Sequence, residues 1–263
     1  MSVPQIAPRL NCVYPWANMP ISTHKLALKI NPTLEITAVA VTEQHACVVV
    51  DDFLLNPDEV VAYASARAAD FTMPERAYPG VVLPVANNVM APLNRFIQTE
   101  MSRLFSFCRG GIEFHTQLSM TTLQPRDFSW IQRLCHTDPK LADDRRNYAA
   151  LLYLFHDPAL GGTGFFHPRH SEQDIALLVH DSSTLDRAAF DARRPGIAQD
   201  FMRASNHWFE RIGGVAAAWN RMIFYDGRLF HSGEIGPPER MVPDPRTGRL
   251  TLNGFFTCSR AAR

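Results

Sequence analysis

From Glu113 onward, the chain consists of short apolar runs that are separated by Pro, Gly and Asp. The runs are Glu113–Leu123, Trp130–Leu134, Tyr148–Phe155, Phe165–Phe166, Val215–Tyr225 and Leu250–Cys258. Their lengths are typical of β-strands, and the residues between them are typical of turns. Many short strands joined by turns indicate an antiparallel barrel or jelly roll. We therefore predict a mainly β fold with flanking helices (α+β).

Helical patterns precede this β region. Asn56-Pro57-Asp58-Glu59 predicts a helix start, with Asn56 as the N-cap and Pro57 as the first helical residue. This helix should continue to about Ala69. A second helix is predicted from about Ala91 to Cys108, because its apolar residues recur at helical spacing.

A helical insertion is predicted within the β region, between Ser171 and Ile212. Its clearest helix carries the apolar residues Ile197, Phe201, Ala204, Trp208 and Ile212. An insertion of this kind usually covers or shapes a site, and a dimer surface is the other interpretation.

Length and charge set the domain organisation and the class of partner. We expect an N-terminal extension (1–45) packed on a core domain (46–263) that contains the insertion at about 171–212. Lys plus Arg equal Asp plus Glu at 26 each, and the pI is about 7.1, so we expect neither a nucleic-acid nor a membrane partner. The 5 scattered cysteines are interpreted as reduced thiols of a cytoplasmic protein. The oligomeric state stays open, with a homodimer as one option.

Cys135-His136-Thr137-Asp138 carries a His and a carboxylate two residues apart. On an extended strand these two side chains project to the same face, so they can bind one ion together. A third ligand is expected from a distant strand, and His231 follows an apolar strand and the turn Asp226-Gly227. Two imidazoles and one carboxylate form the facial set that is typical of iron(II) oxygenases. The predicted metal ligands, and hence catalytic residues, are His136, Asp138 and His231.

A rival pair exists in His170-Ser171-Glu172. These residues lie at the start of the predicted insertion, where helical side chains at i and i+2 point apart. We interpret this rival as polar surface.

The segments around the proposed ligands resemble the 2-oxoglutarate/iron(II) dioxygenase superfamily, and especially its prolyl-4-hydroxylase-like branch. Its members carry an HxD, then a stretch like Tyr148–Phe155 followed by Gly161-Gly162, then a distal His and a Gly-x-Arg-type strand like Gly248–Phe256. The resemblance covers roughly residues 130–258. It implies a double-stranded β-helix (jelly-roll, cupin-like) core, and it implies Fe(II), 2-oxoglutarate and O2 as cofactor and cosubstrates.

By this resemblance, Arg249 would bind the distal carboxylate of 2-oxoglutarate, with Thr251 and Tyr153 contacting the same group. A planar guanidinium pairs bidentately with a carboxylate, and an Arg in an apolar strand otherwise needs a partner. Arg240, in a Pro-rich loop, is the alternative anchor.

The resulting hypothesis is a 2-oxoglutarate-dependent dioxygenase that hydroxylates an unactivated C–H of an amino acid, peptide or small metabolite, releasing succinate and carbon dioxide. Dealkylation, desaturation and epoxidation would use the same residues. The alternatives are an iron oxygenase that does not use 2-oxoglutarate and a non-catalytic jelly-roll metal- or ligand-binding protein. Candidate substrate contacts are Gln132, Asn253, Tyr225 and Trp208.

Overall fold

Two antiparallel sheets form the body of the chain in a computed structural model, which describes residues 26–74, 78–105, 112–141 and 145–259. One sheet contains β1 (Ile36–Ala40), β2 (Ala46–Val50), β3 (Gly80–Pro84), β4 (Ile112–Thr121), β5 (Arg145–Tyr153), β8 (Met222–Asp226) and β10 (Arg249–Ser259). The other contains β6 (Thr163–Pro168), β7 (Phe209–Val215) and β9 (Phe230–Gly233). Their strand orders are β1-β2-β8-β5-β10-β4-β3 and β7-β6-β9. The predicted mainly β architecture with antiparallel pairing is confirmed.

Alternation along β10 shows how the larger sheet is layered. Leu250, Leu252 and Phe256 belong to an apolar core on one face of the sheet. Arg249 and Thr251 are equally buried but point to the opposite face, because successive strand side chains alternate. That second face packs against the smaller sheet, so polar residues of β10 lie between the two sheets.

Helices cover the first face of the larger sheet. α1 spans Pro57–Ala66, and α2 spans Ala91–Phe96, followed by a π-helical turn and the short α3, Ser102–Leu104. The first predicted helix is confirmed, although it ends at Ala66 and not at about Ala69. The predicted end of the second helix, Cys108, lies outside the described residues.

Asn56 stands just before α1, as predicted, but its side chain does not cap the helix. Its Oδ1 accepts the Lys29 N–H at 2.9 Å, and its Nδ2 donates to the Ala27 carbonyl at 2.9 Å. The side chain therefore joins the segment before β1 to the start of α1.

The insertion contains α4 (Glu172–Thr184) and α5 (Arg187–Arg193), followed by a non-helical segment. The prediction of a helix from about Ile197 to Ile212 is therefore wrong. Gly196 takes a φ of 87°, and the Asn206 side chain accepts the N–H groups of Trp208 and Phe209 where β7 begins. Ile197 and Trp208 are buried beside α4 and α5 as part of an irregular chain, whereas Phe201 packs in a different core cluster and Ala204 is exposed. The four-residue spacing therefore did not require a helix.

Two further strand predictions differ from the structure. Trp130–Arg133 is a 3-10 helix, because Ser129 and Gln132 close a capping box around its first turn. The run Val215–Tyr225 is divided between the end of β7 and β8, with a turn between them. The sequence pattern also did not predict β3 or the four-residue β9.

Cys47, Cys135 and Cys258 lie in the described part of the chain. Cys47 and Cys135 are buried free thiols, whereas Cys258 is disulfide-bonded, so the interpretation of all cysteines as reduced is wrong for Cys258.

Within the described ranges, no helix has the length and apolar character needed to cross a membrane.

Candidate metal centre

The backbone holds His136 and His231 directly side by side. The His136 N–H donates to the His231 carbonyl at 3.0 Å, and the His231 N–H donates to the His136 carbonyl at 2.8 Å. This isolated antiparallel bridge adds the His136 segment to the edge of β9. Two residues further on, the Asp138 N–H donates to the Gly227 carbonyl at 2.7 Å. The HxD segment is therefore extended, and both of its polar side chains lie on the side of β9.

Gly227, in the turn between β8 and β9, lets Asp138 approach this closely. A Cβ placed on Gly227 would lie 2.3 Å from Oδ2 of Asp138, well inside contact distance. The predicted turn at Asp226-Gly227 is thus a structural requirement for the carboxylate's position.

Hydrogen bonding orients the second imidazole. Nδ1 of His231 lies 2.8 Å from the Leu229 carbonyl, so it carries the proton and donates it. Nε2 is then unprotonated and can ligate a metal ion, and it lies 4.0 Å from Oδ1 of Asp138. The rings of His136 and His231 lie 4.4 Å apart between centroids, and one ligating atom from each of the three side chains falls within 4.8 Å of the others.

The surroundings of the three side chains shift their pKa values. Desolvation lowers the pKa of His136 to about 4, assisted by the neighbouring His231, although part of His136 stays exposed. Desolvation also lowers the pKa of His231 to about 4. The pKa of Asp138 is raised to about 6, mainly by burial and in part by the charge of Asp226. At neutral pH the site therefore offers two neutral imidazoles and a carboxylate, the forms that bind metal.

The carboxylate also shows that the site fits a cation. Oδ2 of Asp138 is enclosed and has no hydrogen-bond partner among the described residues. A buried carboxylate oxygen without a partner is costly, and a metal ion would satisfy it. A set of two nitrogen donors and one oxygen donor suits iron(II), and it also occurs in zinc sites.

Arg249 lies between the same two sheets as the metal ligands and is 3% exposed. Its Nε donates to the Leu160 carbonyl at 2.9 Å and its Nη2 to the Gly161 carbonyl at 3.2 Å. In the described part of the chain, no carboxylate pairs with this guanidinium. Burial lowers the pKa of Arg249, and the nearby hydroxyls of Tyr78, Tyr153 and Tyr225 oppose that shift.

The Gly161-Gly162 pair explains how backbone carbonyls reach Arg249. Gly161 has a φ of 87°, and a Cβ there would lie 2.0 Å from the Glu234 carbonyl oxygen. A Cβ on Gly162 would lie 2.0 Å from the Val215 carbonyl oxygen. Only glycine permits the turn to pack this tightly and to present its carbonyls to the guanidinium.

Tyr225 lies between the metal end and the arginine end. Its ring contacts His231 edge-on at 4.8 Å between centroids. Burial raises the pKa of Tyr225 well above its usual value, the Asp138 charge raises it further, and Arg249 lowers it. The Tyr225 hydroxyl is therefore close enough to both Asp138 and Arg249 to be influenced by their charges.

The other predicted cosubstrate contacts also lie beside Arg249. The Tyr153 hydroxyl is 2.8 Å from the Thr163 hydroxyl, and Arg249 lowers the pKa of Tyr153 against the larger effect of burial. Thr251 donates to the Ser119 carbonyl at 3.4 Å. Arg240, the alternative anchor, is exposed and paired with Asp157 at 2.5 Å. The binding roles of these residues stay predictions.

Tyr78 is a neighbour of Arg249 that the sequence did not reveal. Its hydroxyl lies 3.2 Å from that of Thr121, and hydrogen bonding with Ser119 and Thr251 lowers its pKa against the effect of burial. Tyr78 belongs to the loop before β3, which no motif marks, so only the strand pairing places it here.

The four candidate substrate contacts have different surroundings. Tyr225 and Asn253 face the space between the sheets. The Gln132 side chain is occupied by the capping box and by the Tyr78 carbonyl at 3.3 Å, so the strand geometry behind its selection is wrong. Trp208 is buried in the insertion, with Arg194 over its ring at 5.1 Å. Their contact with a substrate stays a prediction.

The rival His170 is not part of a metal cluster among the described residues. Its Nε2 lies 3.1 Å from the His207 carbonyl, and its ring contacts Trp208. Ser171 is the N-cap of α4, so Glu172 is the first residue of a helix and is exposed.

A family profile described as "Family of unknown function (DUF6445)" matches residues 32–256, so the chain belongs to this family. No curated protein sequence matches the chain. Distant similarity is found to a Pseudomonas putida prolyl-4-hydroxylase, 17% identical with a TM-score of 0.40 over 82% of this chain and 89% of that one. HygX from Streptomyces hygroscopicus, solved with nickel and 2-oxoglutarate, is 13% identical with a TM-score of 0.44 over 81% and 82%. The non-heme alpha ketoglutarate dependent epimerase SnoN from nogalamycin biosynthesis is 14% identical with a TM-score of 0.46 over 81% and 80%.

Proposed function

We propose that the chain is an iron(II)- and 2-oxoglutarate-dependent oxygenase on a double-stranded β-helix, and that it hydroxylates a C–H of an amino acid, peptide or small metabolite. The observation that carries this proposal is the closeness of two sites between the two sheets, since Tyr225 is influenced by the charges of both Asp138 and Arg249. One is a His-Asp-His cluster whose buried carboxylate oxygen lacks a partner. The other is a buried Arg249 that no described carboxylate neutralises. Membership of the prolyl-4-hydroxylase-like branch stays a prediction.

The spacing of the two sites suits a dicarboxylate. The Cβ position of Gly233 would lie 3.6 Å from Nη2 of Arg249, and Gly233 is two residues after His231 on β9. Two residues along a strand cover roughly 7 Å. A five-carbon 2-oxo dicarboxylate can bridge such a gap, with its oxo-acid end at the metal and its distal carboxylate at Arg249.

The side chains divide the work of binding and orientation. Iron(II), when bound, would supply oxygen activation that is coupled to conversion of 2-oxoglutarate into succinate and carbon dioxide. His136, Asp138 and His231 would bind that ion from one side and leave its other positions accessible. Arg249 and Thr251 would fix the cosubstrate carboxylate, while the rings of Tyr225 and Phe165, 5.3 Å apart, would provide apolar surface between the two sheets.

The deciding experiment is an anaerobic titration of the purified protein with iron(II) and then with 2-oxoglutarate. We expect a visible charge-transfer band only when both are present, because the band requires chelation of the oxo acid to iron. Succinate formation in air, measured with candidate amino acids and peptides, then tests turnover.

The outcomes separate the alternatives. Iron binding without the band would favour an iron oxygenase that does not use 2-oxoglutarate. The band without succinate formation under any condition would favour a non-catalytic binding protein. Absence of iron binding would contradict the proposal as a whole.

A further inference from the structure

A pocket of about 400 Å³ opens where the β1–β2 turn, the start of β5 and the β8–β9 turn meet. We name it the end pocket, and its lining residues are Gln44, His45, Arg146, Arg228 and Leu229. Arg146 pairs with Cys258 at the end of β10, whereas Arg249 begins that strand, so the end pocket is separate from the buried arginine. Small-molecule sites commonly enclose roughly 300–1,000 Å³, so the end pocket can hold a small ligand.

His45 presents a hydrogen-bond donor to the end pocket. The Thr42 hydroxyl oxygen accepts the N–H groups of Gln44 at 3.2 Å and of His45 at 3.0 Å. Its own hydrogen is therefore left to donate to Nδ1 of His45, 3.0 Å away. Nδ1 is then the acceptor and Nε2 carries the ring proton. Nε2 lies 3.8 Å from Oδ2 of Asp226, which is too long for a hydrogen bond, so this donor can serve a ligand.

Arg228 has donors to spare after it has neutralised Asp226. Its Nε donates to Oδ1 of Asp226 at 3.0 Å, its Nη2 to Oδ2 at 2.6 Å, and its backbone N–H to Oδ1 at 2.9 Å. These bonds satisfy the buried carboxylate and do not use Nη1 of Arg228. About half of the Arg228 side chain is exposed, so Nη1 is accessible from solvent.

Arg146 adds a second positive charge. Burial raises the pKa of Tyr148, and the charges and hydrogen bond of Arg146 oppose that shift, so the guanidinium contacts this neutral hydroxyl. No carboxylate lines the end pocket within the described ranges. Asp226 contacts Arg228 alone at hydrogen-bonding distance, and Glu113 is paired with the neighbouring Arg145 at 2.6 Å. The lining therefore carries two guanidinium groups, an imidazole N–H and an amide, and one carboxylate behind them.

We infer that the end pocket binds the phosphate group of a small ligand, with Arg146, Arg228 and Nε2 of His45 as donors. A phosphate carries about two negative charges and three strong acceptor oxygens, and the donors come from three separate elements. Guanidinium groups bind such oxygens with charge-assisted hydrogen bonds. A carboxylate, with two oxygens in one plane, matches fewer of these donors.

The end pocket and the metal ligands share the β8–β9 turn. Arg228 and Leu229 line the pocket, while the Leu229 carbonyl accepts from Nδ1 of His231 and the Gly227 carbonyl accepts the Asp138 N–H. A phosphorylated molecule in the end pocket would therefore lie one turn away from the metal ligands. The inference does not rest on the proposed oxygenase function, because none of the lining residues is assigned to iron or 2-oxoglutarate.

The test uses the full chain without added metal, because phosphate would otherwise compete with the protein for iron(II). Calorimetric titrations compare three probes: inorganic phosphate, glycerol 3-phosphate and acetate. We expect both phosphate probes to bind. Acetate should bind at least about tenfold more weakly, because it carries a single charge and only two acceptor oxygens.

Variants locate the bound phosphate. Arg146→Gln should weaken phosphate binding by about tenfold or more, since a charge-assisted hydrogen bond is lost. Arg228→Lys keeps a positive charge beside Asp226, so the fold is spared, but it loses the planar fork and should weaken binding about fivefold. Arg126→Gln is the matched control, because Arg126 is exposed beside Asp127 and does not line the end pocket. Thermal unfolding of each variant without phosphate checks that it is folded, and Arg228→Lys decides alone if Arg146→Gln is not.

The inference can fail in three ways. No binding of either phosphate probe, or equal affinity for acetate, would overturn it. Unchanged phosphate affinity in the folded Arg146→Gln and Arg228→Lys variants would also overturn it. Loss of phosphate binding in Arg249→Ala, with the end-pocket variants unaffected, would assign the anion to the buried arginine instead. None of these results bears on the oxygenase proposal, since neither iron nor 2-oxoglutarate enters the titrations.

Discussion

The metal ligands and Arg249 are held by different kinds of structure, and they are called here the metal end and the arginine end of the site. At the metal end, His136 and Asp138 come from a segment joined to β9 and the following turn by a single bridge and one further backbone bond. At the arginine end, Arg249 starts β10, which is paired on one side with β4 and, from Thr251 onward, on the other side with β5. The metal ligands are therefore positioned by a turn and by the edge of the smaller sheet. Arg249 is positioned by a strand inside the seven-stranded sheet.

This difference indicates which end adapts to its ligand. The metal end carries an unsatisfied carboxylate oxygen and few backbone restraints, so the ion itself should complete it. The arginine end is satisfied by carbonyls of residues 160–162 before any carboxylate binds, so it is preorganised. Variants at one end should therefore leave binding at the other end nearly unchanged.

Removing a metal ligand should have the largest effect. His231→Ala or Asp138→Ala should weaken iron(II) binding by more than about 100-fold. Loss of a residue that only hydrogen-bonds to a metal ligand already lowers metal affinity by about 10- to 100-fold. His170→Ala is the control and should bind iron like wild type. Anaerobic iron(II) titration measures the affinities. Unchanged affinity in His231→Ala, with loss in His170→Ala, would show that the wrong histidines were selected.

Arg249→Ala should affect the cosubstrate and spare the metal. Loss of a buried charge-assisted contact costs about 2–4 kcal/mol, or about 30- to 1,000-fold in 2-oxoglutarate affinity. Arg249→Lys should recover part of this loss, since an ammonium keeps the charge without the planar fork. The charge-transfer titration is the measurement. If Arg240→Ala is impaired and Arg249→Ala is not, Arg240 is the anchor.

Gly227→Ala tests how strongly the metal end depends on its turn. The added Cβ would lie 2.3 Å from Oδ2 of Asp138, so the carboxylate must move. We expect roughly tenfold weaker iron binding. Gly213→Ala on β7 is the matched control, because nothing lies within 4 Å of its added Cβ. Equal affinity in the two variants would mean that Asp138 does not need its observed position.

The pH dependence of iron binding should follow Asp138 alone. Its pKa is raised to about 6, so below that pH a proton competes with the metal, and above it the carboxylate is free. The pKa values of His136 and His231 are lowered to about 4, so neither imidazole competes above pH 5. Affinity should fall about tenfold between pH 7 and pH 5 and be flat from pH 7 to 8, with one proton displaced per ion at most. A fall of about 100-fold or more over the same range would mean that a histidine also competes and would contradict this assignment.

Thr251→Ala should have the smallest effect. A single neutral hydrogen bond contributes about 1 kcal/mol, which corresponds to about fivefold in 2-oxoglutarate affinity. Iron affinity should not change. A loss as large as that of Arg249→Ala would mean that the substitution disturbs β10 itself, which a thermal unfolding curve would show.

The HxD spacing and the turn before His231 sufficed to select three residues that the structure brings together, because those signals are local. The inward position of Arg249 and Thr251 also follows from alternation along one strand. The predicted helix from about Ile197 to Ile212 is wrong because it also rested on a local signal. A local period cannot distinguish a helix from an irregular segment that is partly buried. Gln132 was misplaced because a side-chain cap, not the apolar pattern, decides the conformation of Trp130–Arg133.

The sequence by itself determined which residue types alternate along β10, where the Asp226-Gly227 turn falls and which side chains can bind a metal. Only the tertiary structure decided that the Leu160–Gly162 carbonyls meet Arg249, that Tyr78 joins them, and that β4 lies beside β10. The physical reason is that strand order and register between distant segments are set by the packing of the whole core, whereas alternation and turns are set by neighbouring residues.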